Sequence, residues 1–234
     1  MEPDTLGGLR SVSVATLTLQ LLKKGVPSTF MSGVRALNTP PMKLVGPAYT
    51  LRYVPRREDL ISPEALGDPA YAPRRAIEEV PAGSVLVVDG RGVADIAVIG
   101  DILAERLKQR GVAGVVTDGG IRDIEEARRV GLPIYAAGAA GPASIAGHSA
   151  GDLQCPIGCG GVAVVPDDII VADADGAVVV PQALAEELAI EGAEQELYEA
   201  FAKEQVEKGR VLREVYPANE ASREEFAAWR AERE

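Results

Sequence analysis

Hydrophobic positions in this 234-residue chain change their spacing from one segment to the next, and the first regular segment has a helical period. Val14, Leu17 and Leu21 recur at helical spacing, and Gly25 follows them as a stop signal. The pattern therefore predicts an amphipathic helix over about residues 11–24.

The next regular segment predicts a strand over residues 44–54, where LVGPAYTLRYV alternates in part and is rich in β-forming residues. Pro47 has no backbone donor for a sheet, so we expect an edge strand or a bulge at this point. Residues 56–81 are charged and proline-rich around one short helix, predicted over residues 74–79. No low-complexity run separates two halves, so this segment is interpreted as an excursion from the same core.

The strongest pattern lies between residues 84 and 138, where short apolar runs alternate with helical periods. SVLVVDG, GVVTDGG and LPIYAAG predict strands, whereas GDILAERLKQRG and RDIEEARRVG predict helices. This alternation is typical of a layered α/β domain. Residues 160–181 then carry β-runs broken by turn signals at Pro166–Asp168 and Asp175–Gly176, which predicts hairpins beside the parallel part of the sheet.

The last segment predicts a long helix from residue 182 to about residue 209, with Leu184, Leu188 and Phe201 among its apolar positions. A charged tail follows it. Such a helix either reaches a neighbouring subunit or presents a solvated face, and the sequence leaves both open. We predict one α/β domain over residues 1–234, with mixed sheets, a core over about residues 44–181 and a C-terminal helical extension over about residues 182–234.

Composition then excludes several classes of binding partner and of metal site. The formal net charge is −11, which opposes binding to nucleic acid or to anionic lipid. A single His excludes zinc and iron sites built from several imidazoles, so a metal would be held by oxygen ligands. Cys155 and Cys159 are expected to be small buried side chains. With no targeting segment, membrane span or disulfide framework in the pattern, we expect a cytoplasmic protein.

One candidate binding feature is the turn that opens the helix GDILAERLKQRG. Gly100 allows a ligand to approach the backbone closely, and the free N–H groups of the first helical turn, at Asp101, Ile102 and Leu103, form a site for a carboxylate or a phosphate. The alternative interpretation is that Asp101 only caps the helix.

A second candidate follows the strand GVAGVV. Asp123 could bind a hard divalent cation, and the planar guanidinium of Arg122 could hold a keto or carboxylate oxygen. The alternative is a structural Arg122–Asp123 pair with Asp123 as a helix N-cap. One helix and one strand separate this loop from Asp101, so both loops are expected at the same end of the sheet. Together they suit the stabilisation of an enolate beside a metal.

These motifs together carry a family resemblance. Asp101 and Arg122-Asp123, with GDILA, VTDGGIRD, PIGCGGVAVVPDD and IIVADADGAVVVP, closely resemble the RraA-like family. That family includes 4-hydroxy-4-methyl-2-oxoglutarate/4-carboxy-4-hydroxy-2-oxoadipate aldolases and the branch of regulator of ribonuclease activity A. The match extends over residues 46–209 and is dense over residues 84–181.

The resemblance implies a swivelling β/β/α fold, assembled as a trimer or a dimer of trimers with active sites between subunits. It also implies that the GDILA amides hold a pyruvate carboxylate and that Arg122 contacts the keto oxygen. By the same matching, Asp123 binds Mg²⁺ or Mn²⁺, and Asp101 orients a water on that metal. A Glu from the C-terminal helix of the adjacent subunit completes the site. Glu199 is our catalytic candidate, and Glu196 lies in the same region.

The turn at Pro166–Asp168 and the single histidine are two further features of the sequence. The family usually has P-G-D where this chain has Pro166, Asp167 and Asp168, and Asp tolerates such a turn, so the fold should survive. His148 lies in the glycine-rich segment GPASIAGHSAG. It could contact substrate or relay a proton, but a solvated loop position is the favoured interpretation.

The predicted function is a divalent-metal-dependent lyase that cleaves a 4-hydroxy-2-keto acid, such as 4-hydroxy-4-methyl-2-oxoglutarate, to pyruvate. Oxaloacetate decarboxylation, which passes through the same enolate, is the expected side activity. A covalent aldolase would need a Schiff-base lysine, and none of the six lysines follows a strand into the predicted site. The alternatives are a non-catalytic regulator that binds a ribonuclease, and a related metal-dependent enzyme acting on another keto or sugar acid.

Overall fold

The computed structural model describes residues 3–59 and 61–233 of the chain. The remaining four positions of the predicted 1–234 domain lie outside the described residues. The helices are α1 (Pro3–Arg10), α2 (Val14–Lys23), α3 (Ala72–Glu79), α4 (Asp101–Gln109), α5 (Ile124–Val130), α6 (Ala185–Glu207) and α7 (Glu220–Ala231). The strands are β1 (Arg35–Ala36), β2 (Leu44–Pro55), β3 (Val85–Asp89), β4 (Ala97–Ile99), β5 (Gly114–Thr117), β6 (Gly120–Ile121), β7 (Ile134–Ala136), β8 (Gly138–Ala139), β9 (His148–Leu153), β10 (Ile157–Cys159), β11 (Val162–Val164), β12 (Ile169–Asp173) and β13 (Gly176–Val180).

A mixed sheet forms the centre of the molecule, in the order β1-β7-β5-β3-β2-β12-β13, with β9 also paired to β2. Strands β2, β3, β5 and β7 pair in parallel, whereas β12 and β13 form an antiparallel hairpin. The predicted layered α/β pattern with hairpins is therefore confirmed. Asp167, at φ +72°, makes the turn before β12 in place of the usual glycine.

Strand β2 is central, so the expectation of an edge strand at Pro47 was wrong. Residues Leu44–Pro47 lie against β12, and the parallel pairing with β3 begins at Ala48. The Ala48 amide donates to the Asp168 carbonyl at 2.8 Å. Because the ladder with β3 begins only at Ala48, Pro47 lies just before it and its missing donor removes no hydrogen bond from that ladder.

A second, three-stranded parallel sheet, β4-β6-β8, lies beside the first. It positions the two predicted site loops, because α4 begins directly after β4 and α5 follows β6. In parallel sheets the carboxyl ends of neighbouring strands lie at one edge, so the loops after β4 and β6 meet there.

Buried apolar side chains form separate clusters on the two faces of the main sheet. Helices α3, α4 and α5 cover one face around Leu86, Leu107 and Ile134, and the β10–β11 hairpin covers the other. Helices α1, α2 and α6 pack against the β12–β13 end through Leu17, Ile169 and neighbouring side chains. Cys159 is buried and Cys155 is half-buried, and both are free thiols, in line with the expected role as small packed side chains.

The helical extension folds back on itself. Tyr198 and Phe201 of α6 pack with Phe226 and Trp229 of α7, so the end of α6 is covered within the chain. The predicted long helix is confirmed over most of its length, whereas α1 was not predicted, because its two central glycines mask the helical pattern. Gly8 is required there, since a Cβ at that position would lie 2.9 Å from the Ala189 Cβ of α6. Among the described helices, none has the length and apolar character needed to cross a membrane.

Candidate functional site

The turn between β4 and α4 presents free backbone donors. Gly100 is the N-cap of α4 with extended backbone (φ −128°, ψ −173°), and Asp101 is the first helical residue. The first helical hydrogen bond of this turn runs from the Ala104 amide to the Gly100 carbonyl at 3.0 Å. The three preceding amides, up to Leu103, therefore have no acceptor within the helix. The N-cap is Gly100, and among the described residues no side chain caps this turn, so the interpretation of Asp101 as a cap was wrong.

The second predicted loop lies directly against this turn. A Cβ built on Gly100 would lie 2.9 Å from Asp123 Oδ2 and 3.1 Å from Arg122 Nε, so only glycine fits there without displacing the pair. The Arg122 amide donates to the Ile99 carbonyl at 3.1 Å, which joins the loop to the end of β4. The structure thus brings together the two loops that the sequence placed at one end of the sheet.

Arg122 and Asp123 also pair with each other, as the structural interpretation expected. Arg122 Nε lies 3.1 Å from Asp123 Oδ2, and both side chains are nearly half exposed (47% and 45%). Asp123 occupies the left-handed region (φ 54°, ψ 46°) as N-cap of α5, yet its side chain makes no capping bond. Non-glycine residues in this region carry strain and often lie at functional sites. The Asp123 carboxylate is consequently accessible to solvent and does not cap α5.

A cleft of about 230 Å³ opens at this junction. The Gly100–Leu103 turn and Arg122 form part of its wall, and Leu66, Arg74 and Ser144 also line it. Arg74 and Leu66 belong to the charged excursion, and sequence reasoning missed both because nothing in local spacing connects that segment with Arg122.

The donor set fits a hard cation held mostly by water. Asp123 supplies a partly exposed carboxylate, and Asp101 lies at the adjacent helix start. In the part of the chain that the structure describes, no group of three or more His, Cys, Asp or Glu side chains could hold a metal. Mg²⁺ commonly binds through one or two carboxylates and keeps several waters, so this sparse set suits Mg²⁺ better than a metal that needs a full protein cage.

The two candidate glutamates of α6 have different surroundings. Glu196 Oε1 accepts the Ser13 amide at 2.8 Å, at the start of α2. Burial opposes ionisation of Glu196, but hydrogen bonds from Ser13 and Thr16 and the charge of Lys43 outweigh it, so its pKa is lowered. Glu199 Oε1 accepts a hydrogen bond from the Gln195 side chain of the preceding turn at 2.7 Å, its one partner among the described residues. Glu196 thus caps the start of α2 by a hydrogen bond, whereas the Glu199 contact lies within its own helix.

His148 is fully buried, so its interpretation as a solvated loop residue was wrong. It is the first residue of β9, and its ring stacks on Tyr53 with centroids 5.0 Å apart. Nδ1 lies 3.2 Å from Nη1 of Arg91, which can only donate, so the ring proton belongs on Nε2. Nε2 has no partner among the described residues. Burial, with the nearby Arg91 charge, lowers the His148 pKa to about 4.

Asp118, in the TDGG motif, ties its own loop to the β3–β4 loop and to the β10–β11 turn. Its carboxylate accepts backbone amides from Gly90 at 2.7 Å, Gly92 at 3.0 Å and Gly160 at 3.2 Å. Burial raises the pKa of Asp118, although these hydrogen bonds act in the opposite direction. An acidic residue followed by two glycines was the signal for this role, but the sequence could not show which amides it would bind.

The comparisons with known proteins agree with this arrangement. The family model described as RraA-like, aldolase/RraA, matches residues 15–179, which include β2, the Gly100 turn, Arg122 and Asp123. The chain belongs to the RraA-like family. Its swivelling α/β fold, predicted from the resemblance, is shared with Streptomyces coelicolor RraAS2, an unusual member of the RNase ES inhibitor RraA family. That structure is 36% identical, with a TM-score of 0.77, and the match covers 87% of this chain and 97% of RraAS2.

Curated relatives of this RraA-like chain include an enzyme. A 4-hydroxy-4-methyl-2-oxoglutarate aldolase from Thermus thermophilus is 39% identical over 109 residues, which are 47% of this chain and 66% of that enzyme. Protein DlpA of Legionella pneumophila is 34% identical over 140 residues, 60% of this chain but only 22% of DlpA. The chain therefore spans less than two thirds of the length of these relatives.

Proposed function

We propose that this protein is a divalent-metal-dependent lyase that cleaves a 4-hydroxy-2-keto acid, such as 4-hydroxy-4-methyl-2-oxoglutarate, to pyruvate. The observation that carries the proposal is the contact between the Gly100 turn and the Arg122–Asp123 loop. The Gly100 turn, the Asp101 carboxylate and the Arg122 guanidinium line one cleft, and Asp123 pairs with Arg122 at 3.1 Å. The similarity to the Thermus aldolase supports the same conclusion.

Each group has a role in such a reaction. The free amides of the α4 start would bind the substrate carboxylate, since a helix N-terminus favours anions. Arg122 would hold the 2-keto oxygen, where negative charge develops as the C3–C4 bond breaks and its electron pair forms an enolate. Asp101 would orient the water that removes the proton from the C4 hydroxyl. Protonation of C3 then gives pyruvate, and the same enolate explains an oxaloacetate decarboxylase side activity.

A bound Mg²⁺ or Mn²⁺ would supply Lewis-acid polarisation of the keto oxygen, and Asp123 is the residue that would hold it. Fixed positive charge at the developing enolate typically contributes several kcal/mol of transition-state stabilisation. Arg122 and Asp123 would therefore both stabilise the negative charge that develops on the keto oxygen. Arg122 would donate hydrogen bonds to this oxygen, and Asp123 would hold the cation.

The site also needs a partner subunit in this proposal, within a trimer or a dimer of trimers. Glu199 is the better candidate to enter a neighbouring site, since Glu196 is occupied by the α2 amide within its own chain.

The test is pyruvate release from 4-hydroxy-4-methyl-2-oxoglutarate and from oxaloacetate, with and without Mg²⁺. Wild-type protein should release pyruvate from both in a metal-dependent manner, and Arg122→Ala should lose at least about 100-fold in kcat/KM. Arg106→Ala is the matched control, because Arg106 is a nearby surface arginine paired with Glu78 at 2.7 Å. Equal loss in both variants would contradict the assignment.

A second candidate is a non-catalytic regulator of a ribonuclease. It is favoured by the similarity to RraAS2 and by the net charge of −11, which suits a basic protein surface. An enzyme acting on another keto or sugar acid with the same site is the third. Absence of pyruvate release from both substrates, with a ribonuclease recovered in a pull-down, would favour the regulator.

A further inference from the structure

A second arginine faces the candidate site. Arg74, on α3, lines the 230 Å³ cleft together with Arg122. It also lines an adjoining cleft of about 540 Å³, and the two clefts share Leu66, Arg74, Ile102 and Leu103. Arg74 therefore lies at the boundary shared by the two clefts.

Arg74 is oriented but carries no charge partner. Its Nε donates to the Leu66 carbonyl at 2.7 Å, which fixes the guanidinium plane and leaves the two terminal nitrogens for other acceptors. No acidic side chain among residues 3–59 and 61–233 forms an ion pair with it. The neighbouring arginines differ, because Arg75 pairs with Glu79 and Arg106 pairs with Glu78, each at 2.7 Å.

This difference is notable in a chain with 35 acidic and 24 basic side chains. A planar guanidinium presents two parallel donors that match a carboxylate, and such contacts are stronger than neutral hydrogen bonds. Arg122 on the same cleft already has Asp123 beside it at 3.1 Å, so it is Arg74 that lacks an acidic partner among the described residues. The electrostatics therefore favour a ligand with a carboxylate for Arg74 in addition to the keto-acid group at Arg122.

We infer that Arg74 binds the distal carboxylate of the substrate and selects keto acids that carry a second acid group. The inference rests on the proposed function, since it assumes that the keto-acid end lies at Gly100 and Arg122. Leu66 and Leu103 would contact the carbon chain between the two ends. The opening into the larger cleft leaves room for longer dicarboxylic and tricarboxylic acids.

The test compares paired substrates that differ only at the distal group. The dicarboxylate is 4-hydroxy-4-methyl-2-oxoglutarate, and in 4-hydroxy-4-methyl-2-oxopentanoate a methyl group replaces the distal carboxylate. Each loses its C3–C4 bond and its C4 hydroxyl proton, and C3 gains a proton, so the first gives two pyruvates and the second gives pyruvate and acetone. Arg74→Gln should reduce kcat/KM about 10- to 100-fold for the dicarboxylate and less than about twofold for the monocarboxylate. Arg74→Lys should recover part of the loss.

Arg75→Gln is the matched control, because Arg75 is the next residue on the same helix and is paired with Glu79. It should leave the preference for the dicarboxylate unchanged. A preference in Arg74→Gln equal to that of the wild type, with normal thermal unfolding, would overturn the inference.

A binding measurement separates this inference from the proposed function. Calorimetry with Mg²⁺ present would compare 2-oxoglutarate with 2-oxopentanoate, which lacks the distal acid. Wild type should bind 2-oxoglutarate at least about 10-fold more tightly, and Arg74→Gln should abolish the difference. If this holds while no pyruvate is released from any substrate, the lyase proposal fails and the dicarboxylate site stands. Equal binding of both acids by the wild type would refute the role of Arg74.

Discussion

The buried histidine gives a prediction that can be worked through from the structure. His148 is the only histidine of the chain and is completely buried against Tyr53 and beside the Arg91 guanidinium. Burial and the Arg91 charge disfavour a second ring proton, and they lower the pKa from an ordinary 6.5 to about 4. The unfolded chain has no such environment, so its imidazole keeps the ordinary pKa.

The direction in which folding stability changes with pH depends on which state binds the His148 proton. Between pH 6.5 and about 4 the unfolded state binds the His148 proton and the folded state does not, so stability is lost as the pH falls through this window. The full difference corresponds to about 3 kcal/mol, and about 2 kcal/mol of it should appear between pH 7 and pH 5. Other groups also titrate in this range, so the prediction concerns the difference between the wild type and a variant without the imidazole.

The assay is urea unfolding of wild type and His148→Gln at pH 7 and pH 5. The free energy of unfolding of the wild type should fall by about 2 kcal/mol more than that of the variant over this interval. In addition, the single imidazole gives one set of histidine NMR signals, which should not titrate above about pH 5 in the folded protein. A parallel fall in both proteins, or an imidazole that titrates near its ordinary pKa, would refute the reasoning.

Three further predictions concern Gly100, Asp118 and the two glutamates of α6. Gly100→Ala should reduce kcat/KM at least about 10-fold with little change in unfolding, because its methyl group would lie 2.9 Å from Asp123 Oδ2. Gly141→Ala, with nothing within 4 Å of the added carbon, is the control, and equal activity in the two variants would contradict this role. Asp118→Asn should cost about 1–3 kcal/mol in urea unfolding, since one charged acceptor of three amides is lost, and unchanged stability would argue against it. Glu196→Gln should lower stability while Glu199→Gln lowers kcat, and the reverse pattern would exchange their roles.

The parts of the fold that the sequence predicted well are those with dense local signals. Strands β3, β5 and β7 are largely apolar and alternate with the short helices α4 and α5, so period and turn chemistry agree there, whereas the short strands β4 and β6 were not predicted. The proximity of Gly100 and Arg122 could also be predicted, because parallel strands joined by a helix place their loops at one edge of the sheet.

The parts that were missed depend on contacts between distant segments. His148 follows a glycine-rich stretch that is typical of a loop, and contacts with distant residues bury it, namely the pairing with Pro55 of β2 and the stack on Tyr53. Arg74 reaches the cleft because the excursion after β2 returns over α4, which local spacing does not encode. Strand β2 is a similar case, since Pro47 indicates an edge locally, whereas three other strands pair with different parts of this one long strand.

The most direct test of the central claim is pyruvate release from 4-hydroxy-4-methyl-2-oxoglutarate by wild type and Asp123→Ala, after exhaustive chelation and then across a Mg²⁺ titration. The account predicts no release by the chelated wild type, full recovery with Mg²⁺ or Mn²⁺, and no recovery in Asp123→Ala at any metal concentration. Sedimentation should show the same assembly for both proteins. Full turnover by Asp123→Ala, or wild-type activity that persists without metal, would contradict the account.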